Sequence, residues 1–257
     1  VKVIRNNAID TVTASSESAT YPASNLLDQH PKKKWQAADA SVDSATLTIT
    51  AKGKTGGLGM VGIVADHAAI SVNDPSGIIW SNVDWSNVEW DQGISKLDTK
   101  VEFTSFDGQA TLWVEFAEFS GSVTIEVTLY KDAGKPEILS AGVAVVGEYI
   151  DFPGLQRPLE EGLHDYSIER LLANGSYFYK QRDIVRTFSG TVILKRDDWF
   201  WRAMRDVARR SGKTPMMFQM TDIPGQWTLY GRLQAMPRGR HAYPTHSAID
   251  FQIIEVL

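Results

Sequence analysis

Tyr21-Pro22-Ala23-Ser24-Asn25-Leu26-Leu27-Asp28 is followed by Trp35 and then by the alternating Leu47 and Ile49. Pro22 fixes its own backbone, and the Ser, Asn and Asp side chains bond nearby main chain, so this stretch turns and does not continue as a helix. Leu26 and Leu27 give the turn an apolar plug, and a period-2 strand comes next. That order predicts the start of an antiparallel β-sandwich. Thr46 to Thr50 and Val123 to Leu129 alternate apolar and polar residues, and Leu112 to Phe116 is strand-like. Gly53 to Gly59, Asn73 to Gly77 and Ser120 to Ser122 read as the turns between such strands.

Composition limits what the chain does. At 257 residues and 43% hydrophobic it can bury one large core or two ordinary ones, and two domains are expected. With no cysteine, neither a disulfide framework nor a thiolate metal site is possible. There is no run of about 18 apolar residues, and Val1 to Asn7 lacks the apolar core of a signal peptide. A soluble protein without a membrane anchor, not exported by the usual route, is therefore expected. A formal charge of -5 argues against a general or sequence-specific nucleic-acid binder, which needs a basic footprint. Residues 1–139 hold 11 Lys and Arg against 18 Asp and Glu, a net -7, whereas residues 140–257 hold 15 against 13, a net +2. The polar stretch Lys131 to Pro136 is the natural linker, which gives domains of 1–134 and 135–257.

The second half is patterned differently. Ala144 to Ile150 and Phe188 to Leu194 read as strands. Phe200, Ala203, Met204, Val207 and Ala208 then recur at helical spacing, predicting one amphipathic helix over about 198–210. Asp197 or Asp198 caps its start, and Gly212 ends it. Strands resume over Met216 to Met220, Trp227 to Leu233 and Ile249 to Val256.

Motifs of catalysis are weak. Gly57-Leu58-Gly59-Met60-Val61-Gly62 fits the dinucleotide fingerprint in letters, but that fingerprint needs a strand turning into a helix, and a turn follows here. Gly53-Lys54-Thr55 reads as a turn without the phosphate-loop glycine. His30, His67, His164, His241 and His246 are scattered, and Pro244 keeps the last two off a common helix. Glu160-Glu161 and Asp197-Asp198 are adjacent pairs of the kind found in turns and caps. No catalytic, cofactor or metal residues are assigned, and no cofactor is expected. A hydrolase built from scattered carboxylates such as Asp66, Glu115 and Asp151 has only their presence behind it.

Trp80, Trp85 and Trp90 recur every five residues with Ser, Asn and an acid between them. Flat rings beside polar groups suit a sugar, so glycan contact is one reading. Packing or an assembly interface is the other, because a spacing of five turns successive rings to opposite sides of a strand. Arg157, Lys180, Arg182 and Arg186 gather without a hydrophobic period. They are candidate contacts to acidic patches on adjacent subunits or to the lumen of a tube, or else solvated surface.

The Asn-Leu-Leu-Asp run with Trp35 resembles the start of galactose-binding-like, discoidin-type domains, in the version carried by tail-tip proteins of long-tailed bacteriophages. The resemblance implies that Asn25, Asp28 and Trp35 build the fold and do not touch ligand. The β, single helix, β order of the second half, with Val146 to Gly154, Gly162 to Ser167 and Arg182 to Gly190, resembles the tail-tube-like fold of the same proteins. The expected fold is thus mostly β: a jelly-roll-like sandwich followed by a tail-tube-like α+β domain with one main helix. The expected work is structural, in the virion at the tail tip or baseplate, after synthesis in the bacterial host cytoplasm. Six or three copies would form a ring joining the tube to the hub or fibres, with the sandwich outward and a host surface glycan as a further partner. The alternative is a stand-alone carbohydrate-binding module or receptor-binding adhesin.

Overall fold

The computed structural model describes residues 1–73, 96–102, 110–132, 134–152, 155–171, 173, 176–195, 206–209, 212–220, 227–241 and 244–256. It is mostly β, as the alternating patterns predict. The chain forms two compact units, an N-terminal one built on Val3–Ile150 and a C-terminal one built on Asp151–Met220 and Leu229–Leu257.

The N-terminal unit contains β1 (Lys2–Arg5), β2 (Ile9–Ala14), β3 (Trp35–Gln36), β4 (Ser44–Ile63), β5 (His67–Asn73), β6 (Lys96–Glu102), β7 (Ala110–Tyr130), β8 (Ser140–Ala141) and β9 (Val143–Asp151). Its main sheet runs β1-β9-β4-β7-β5-β6, with β2 also on β4, while β3 and β8 form a small second sheet. β4 and β7 are the axis, antiparallel from Ser44↔Tyr130 to Ile63↔Ala110. Over Ser44 to Ala51 burial alternates, because one face meets the core and the other meets water. Leu47, Ile49, Val123, Ile125 and Val127 enter one cluster with Leu26 and Trp35, all of them buried.

Two expected turns are interior strand instead. Gly53 pairs with Gly121, both at positive φ, so the two glycines lie inside one continuous ladder where separate strands were expected. Gly57 to Gly59 lie mid-sheet, between β7 on one side and β9 on the other. A Cβ on Gly57 would strike the Ile4 side chain at 2.8 Å, so glycine is what lets β1 lie against β4. The glycine-rich fingerprint is therefore a covered sheet centre, with no helix N-terminus to hold a phosphate.

The stretch Lys131 to Pro136 does not carry the chain out of this unit. Lys131 is buried, and its ammonium donates to the carbonyls of Ala40 (2.6 Å) and Glu137 (3.0 Å). The chain then returns as β9, pairing Val143 to Gly147 with β4, and the unit continues to Ile150. Arg5 donates to Glu148 at 2.5 Å, with their side chains 3% and 11% exposed. Glu118 first and then Glu148 hold the Lys54 ammonium above the ordinary lysine value, by hydrogen bonding and by charge.

The C-terminal unit contains β10 (Leu155–Asp165), β11 (Ile168–Leu171), β12 (Tyr177–Lys180), β13 (Ile184–Lys195), β14 (Met216–Gln219), β15 (Thr228–Leu233), β16 (Arg238–Arg240) and β17 (His246–Glu255). The order is β10-β13-β17-β15-β14, with β16 on β17 and β11 paired only to β12. Phe188, Val192 and Leu194 point inward, which leaves Thr187, Ser189 and Thr191 on the other face. Of the expected helix, Asp206 to Arg209 are described and helical, with Val207 and Ala208 buried and Arg209 exposed. The Gly212 N–H bonds the Ala208 carbonyl at positive φ, a left-handed end of the kind glycine permits. Residues 196–205, 210 and 211 of that prediction lie outside the described residues.

Removing the carboxylate of Glu148 (E148A) takes from the buried Arg5 charge its 2.5 Å acidic partner and is expected to cost about 3–5 kcal/mol. Gly147→Ala places a Cβ against the Arg5 carbonyl oxygen and is expected to cost about 1–3 kcal/mol or more. Urea unfolding of both variants checks this. Wild-type stability in both would show that β1 does not depend on this contact.

Candidate binding site

The turn that opens the chain is a short 3-10 segment, Ala23–Leu27. The Asn25 amide donates to the Lys34 carbonyl at 3.0 Å and so holds the loop closed on itself. Asp28 accepts from the His30 N–H (3.1 Å) and the Lys33 ammonium (2.6 Å), and Lys33 keeps its carboxyl below the ordinary Asp value. Trp35 is fully buried, and its indole N–H donates to the Ser16 carbonyl at 3.2 Å. These three residues lie within the turn and the core. Tyr21 is half-exposed beside them, with the Lys34 ammonium 5.9 Å from its ring centre.

A second aromatic group lies on the main sheet of the N-terminal unit. Trp113 pairs with Gly59 and Glu115 with Gly57, so both side chains stand on one face of β7. The Trp113 indole N–H donates to the Glu115 carboxylate at 3.0 Å, which fixes the ring. Tyr149 of β9 meets that ring edge-on with centroids 6.5 Å apart. Trp113 and Tyr149 are half-buried and Glu115 is exposed. A fixed indole, a phenol and a carboxylate supply one stacking face and several hydrogen-bonding groups. Sequence alone showed Leu112 to Phe116 as a strand, but nothing local to it pointed to Tyr149, which arrives through β4.

The C-terminal unit has a cleft of about 570 Å³ on the outer face of its sheet. Glu160, Ser189 and Gln252 form one cross-strand row, and Thr191, Asp250 and Arg238 form the next. The half-exposed Met236 side chain lines the same cleft. Asp250 accepts from the Thr191 hydroxyl (2.7 Å) and from Arg240 (2.8 Å), and these two, the hydroxyl most, hold its carboxyl below the ordinary Asp value. Glu160 is exposed and accepts from the Ser189 hydroxyl at 3.3 Å.

The basic residues separate. Arg186 is bound inside its own unit, donating to Glu255 at 2.8 and 3.3 Å, so its charge is already paired. Lys180 and Arg182 are exposed. The side chain of Arg157, like Trp80, Trp85 and Trp90, lies outside the described residues. The scattered carboxylates do not converge. Asp66 is held by Lys135 and by the Asp132 N–H, which lower its pKa, whereas Glu115 receives Trp113 and Asp151 is exposed on β9. His67 stacks on Tyr130 at 4.7 Å, and His241 shares a hydrogen bond with Ser247. Among the described residues no group of three or more His, Asp or Glu is placed to hold a metal ion.

Residues 4–72 match the family model described as XRCC1 N terminal domain. Among solved structures, the chain is similar to chitosan-binding module 1 of a chitosanase/glucanase from Paenibacillus sp. IK-5, at 17% identity over 55% of this chain and 98% of that one, with a TM-score of 0.39. It is similar to reduced XRCC1 bound to the DNA pol beta catalytic domain, at 14% identity over 57% and 98% with a TM-score of 0.41. The family 32 carbohydrate-binding module of C. perfringens NanJ in complex with galactose is 14% identical over 58% and 100%, with a TM-score of 0.35. No curated protein matches the chain.

Asp250 generates a pH dependence. Its folded pKa is lowered, so its contribution to stability is complete above the ordinary Asp value and is lost as pH falls through the depressed one. The Arg240–Asp250 pair is more than a third exposed, so the effect is below about 1 kcal/mol. Asp250→Asn is expected to melt lower than wild type at pH 7, and the gap should close below about pH 4. A gap that stays constant down to pH 2 would remove Asp250 from the acid response.

Proposed function

We propose that this chain is a non-catalytic binding protein whose N-terminal unit, a galactose-binding-like β-sandwich, takes a carbohydrate. The observation that carries the proposal is the fixed indole of Trp113 beside the Glu115 carboxylate and the Tyr149 ring. Sugars are held by stacking on such faces while carboxylates and phenols bond their hydroxyls. The family match over residues 4–72 supports the fold assignment. Trp80, Trp85 and Trp90 remain further candidate contacts on sequence grounds.

A second reading is supported by the exposed aromatic residues Tyr177, Phe178 and Tyr179 of β12. In it the chain is a structural component of a phage tail tip, made in the bacterial cytoplasm and assembled as a ring between the tube and the hub or fibres. The sequence resemblance suggests this role, and a large exposed apolar surface suits a protein that works as an assembly. The two readings are compatible, since an adhesin module can project from a ring.

A glycan array followed by calorimetry tests the carbohydrate reading. Trp113→Ala is expected to weaken binding of the best glycan at least about tenfold, or ~1.4 kcal/mol, with the circular dichroism spectrum unchanged. Wild-type protein that binds no glycan sinks the reading. Loss on replacing Trp80, Trp85 and Trp90 but not Trp113 moves the site to that segment.

A further inference from the structure

Among the described residues, β10 has β13 on one side and no strand on the other. Its pairing with β13 is regular from Glu160↔Ser189 to Asp165↔Ile184, after the irregularity between Gln156 and Glu160. On every second residue of that stretch the backbone N–H and C=O face outward, and these groups have no partner among the described residues. Glu160 to Leu163 and Asp165 are exposed, and His164 is half-buried. Leu163, at 74%, is the most exposed large hydrophobic side chain among the described residues. The strand leads into the β11–β12 hairpin, an arm that carries the exposed rings of Tyr177, Phe178 and Tyr179.

An open edge takes a strand whose side chains suit it. Residues directly opposite in an antiparallel ladder share a face, so two copies of one strand related by a two-fold axis pair only with a residue on the axis, opposite itself. The charges of β10 select that residue. An axis at Glu160, Glu161 or Asp165 sets two like charges opposite each other, and one at Leu163 sets Glu161 against Asp165. An axis at His164 leaves Glu160 and Glu161 opposite Ile168 and Ser167, with no base for either. An axis at Gly162 sets Glu160 opposite His164 and Glu161 opposite Leu163, with no like charges opposed from Leu159 to Asp165.

We infer that β10 pairs with β10 of a second copy, antiparallel about a two-fold axis at Gly162, with His164 of each copy opposite Glu160 of the other. The contact is isologous, so each interaction is made twice. Glu160 accepts from the Ser189 hydroxyl and keeps lone pairs for an imidazole N–H. Tyr166 meets the His164 ring edge-on, with centroids 4.6 Å apart, and steadies it. On the other face the two Leu163 side chains stand diagonally across the axis, within reach of each other. Gly162 puts no side chain between the two Glu160–His164 contacts. Pairing of this kind removes the open edge, and it requires neither a glycan nor a ring.

Native mass spectrometry of the full chain over a range of concentrations is expected to show a dimer, and hydrogen exchange to show the amides of Glu160 to Asp165 slowing as it forms. His164→Glu, which sets two acids opposite each other, is expected to weaken association at least about tenfold, as is Glu160→His. The two together exchange the partners and should restore it, with the circular dichroism spectrum unchanged throughout. The register is tested by cysteine, which the chain lacks. Glu161→Cys with Leu163→Cys is expected to oxidise to a disulfide-linked dimer, whereas Glu161→Cys alone, offset from its copy by two residues, is not. A wild type that stays monomeric at every concentration overturns the inference. So does a dimer that the charge variants leave intact, or one that the single cysteine crosslinks. Slow exchange of those amides in a monomer overturns it as well, because the edge is then covered within one copy.

Discussion

The β4–β7 ladder is the constraint on which the N-terminal unit depends. Two strands of 20 and 21 residues run beside each other, and each supports different neighbours along its length. β2 takes the first half of β4, β9 takes the second, and β5 lies against the latter part of β7. Gly53 and Gly121 face each other in this ladder, both at positive φ, a backbone that glycine adopts without strain, and the register shifts come later, between Thr55 and Gly57 and between Met60 and Ile63. From Thr55 to Val61 the residues of β4 are buried without alternation, with Gly57 and Gly59 alternating with the large Leu58 and Met60. Glycine in this ladder trades backbone entropy for the close approach of Ile4 and Tyr149.

Most of the strand content was legible from alternation, because a half-buried strand must repeat every two residues. Ser44 to Ala51, Val123 to Tyr130 and Phe188 to Leu194 follow that rule. Gly53 to Gly59 misled for a physical reason. Glycine is strongest as a sign of turns, and a fully covered sheet centre erases the alternation that would have argued otherwise. The alternation of Gly57 and Gly59 with Leu58 and Met60 was the available hint. Lys131 to Pro136 misled similarly, since a polar run looks like a linker unless the buried ammonium of Lys131 can be seen satisfying two carbonyls.

The candidate sites were less legible than the fold. Trp113 and Tyr149 meet only because β7 and β9 flank the same strand, and no local pattern encodes that register. Arg186 looked equivalent to Lys180 and Arg182 in sequence, yet its partner Glu255 comes from the far end of the chain. The aromatic arm did have a local signal. Three consecutive aromatic residues cannot all face a core from one strand, so at least one ring must be left for something outside the fold.

The Arg5–Glu148 ion pair also sets a timetable. Its two ends are 143 residues apart in the chain. On a ribosome adding about 5–20 residues each second, Arg5 emerges roughly 7–30 seconds before its partner exists. Throughout that interval the strand carrying Ile4 has no β9 to pair with, and the glycine-floored centre of the sheet stays open. Closure of the N-terminal unit is thus a late event, timed by translation, and a nascent chain halted before Glu148 would present an unpaired β-edge to whatever else the cell has nearby.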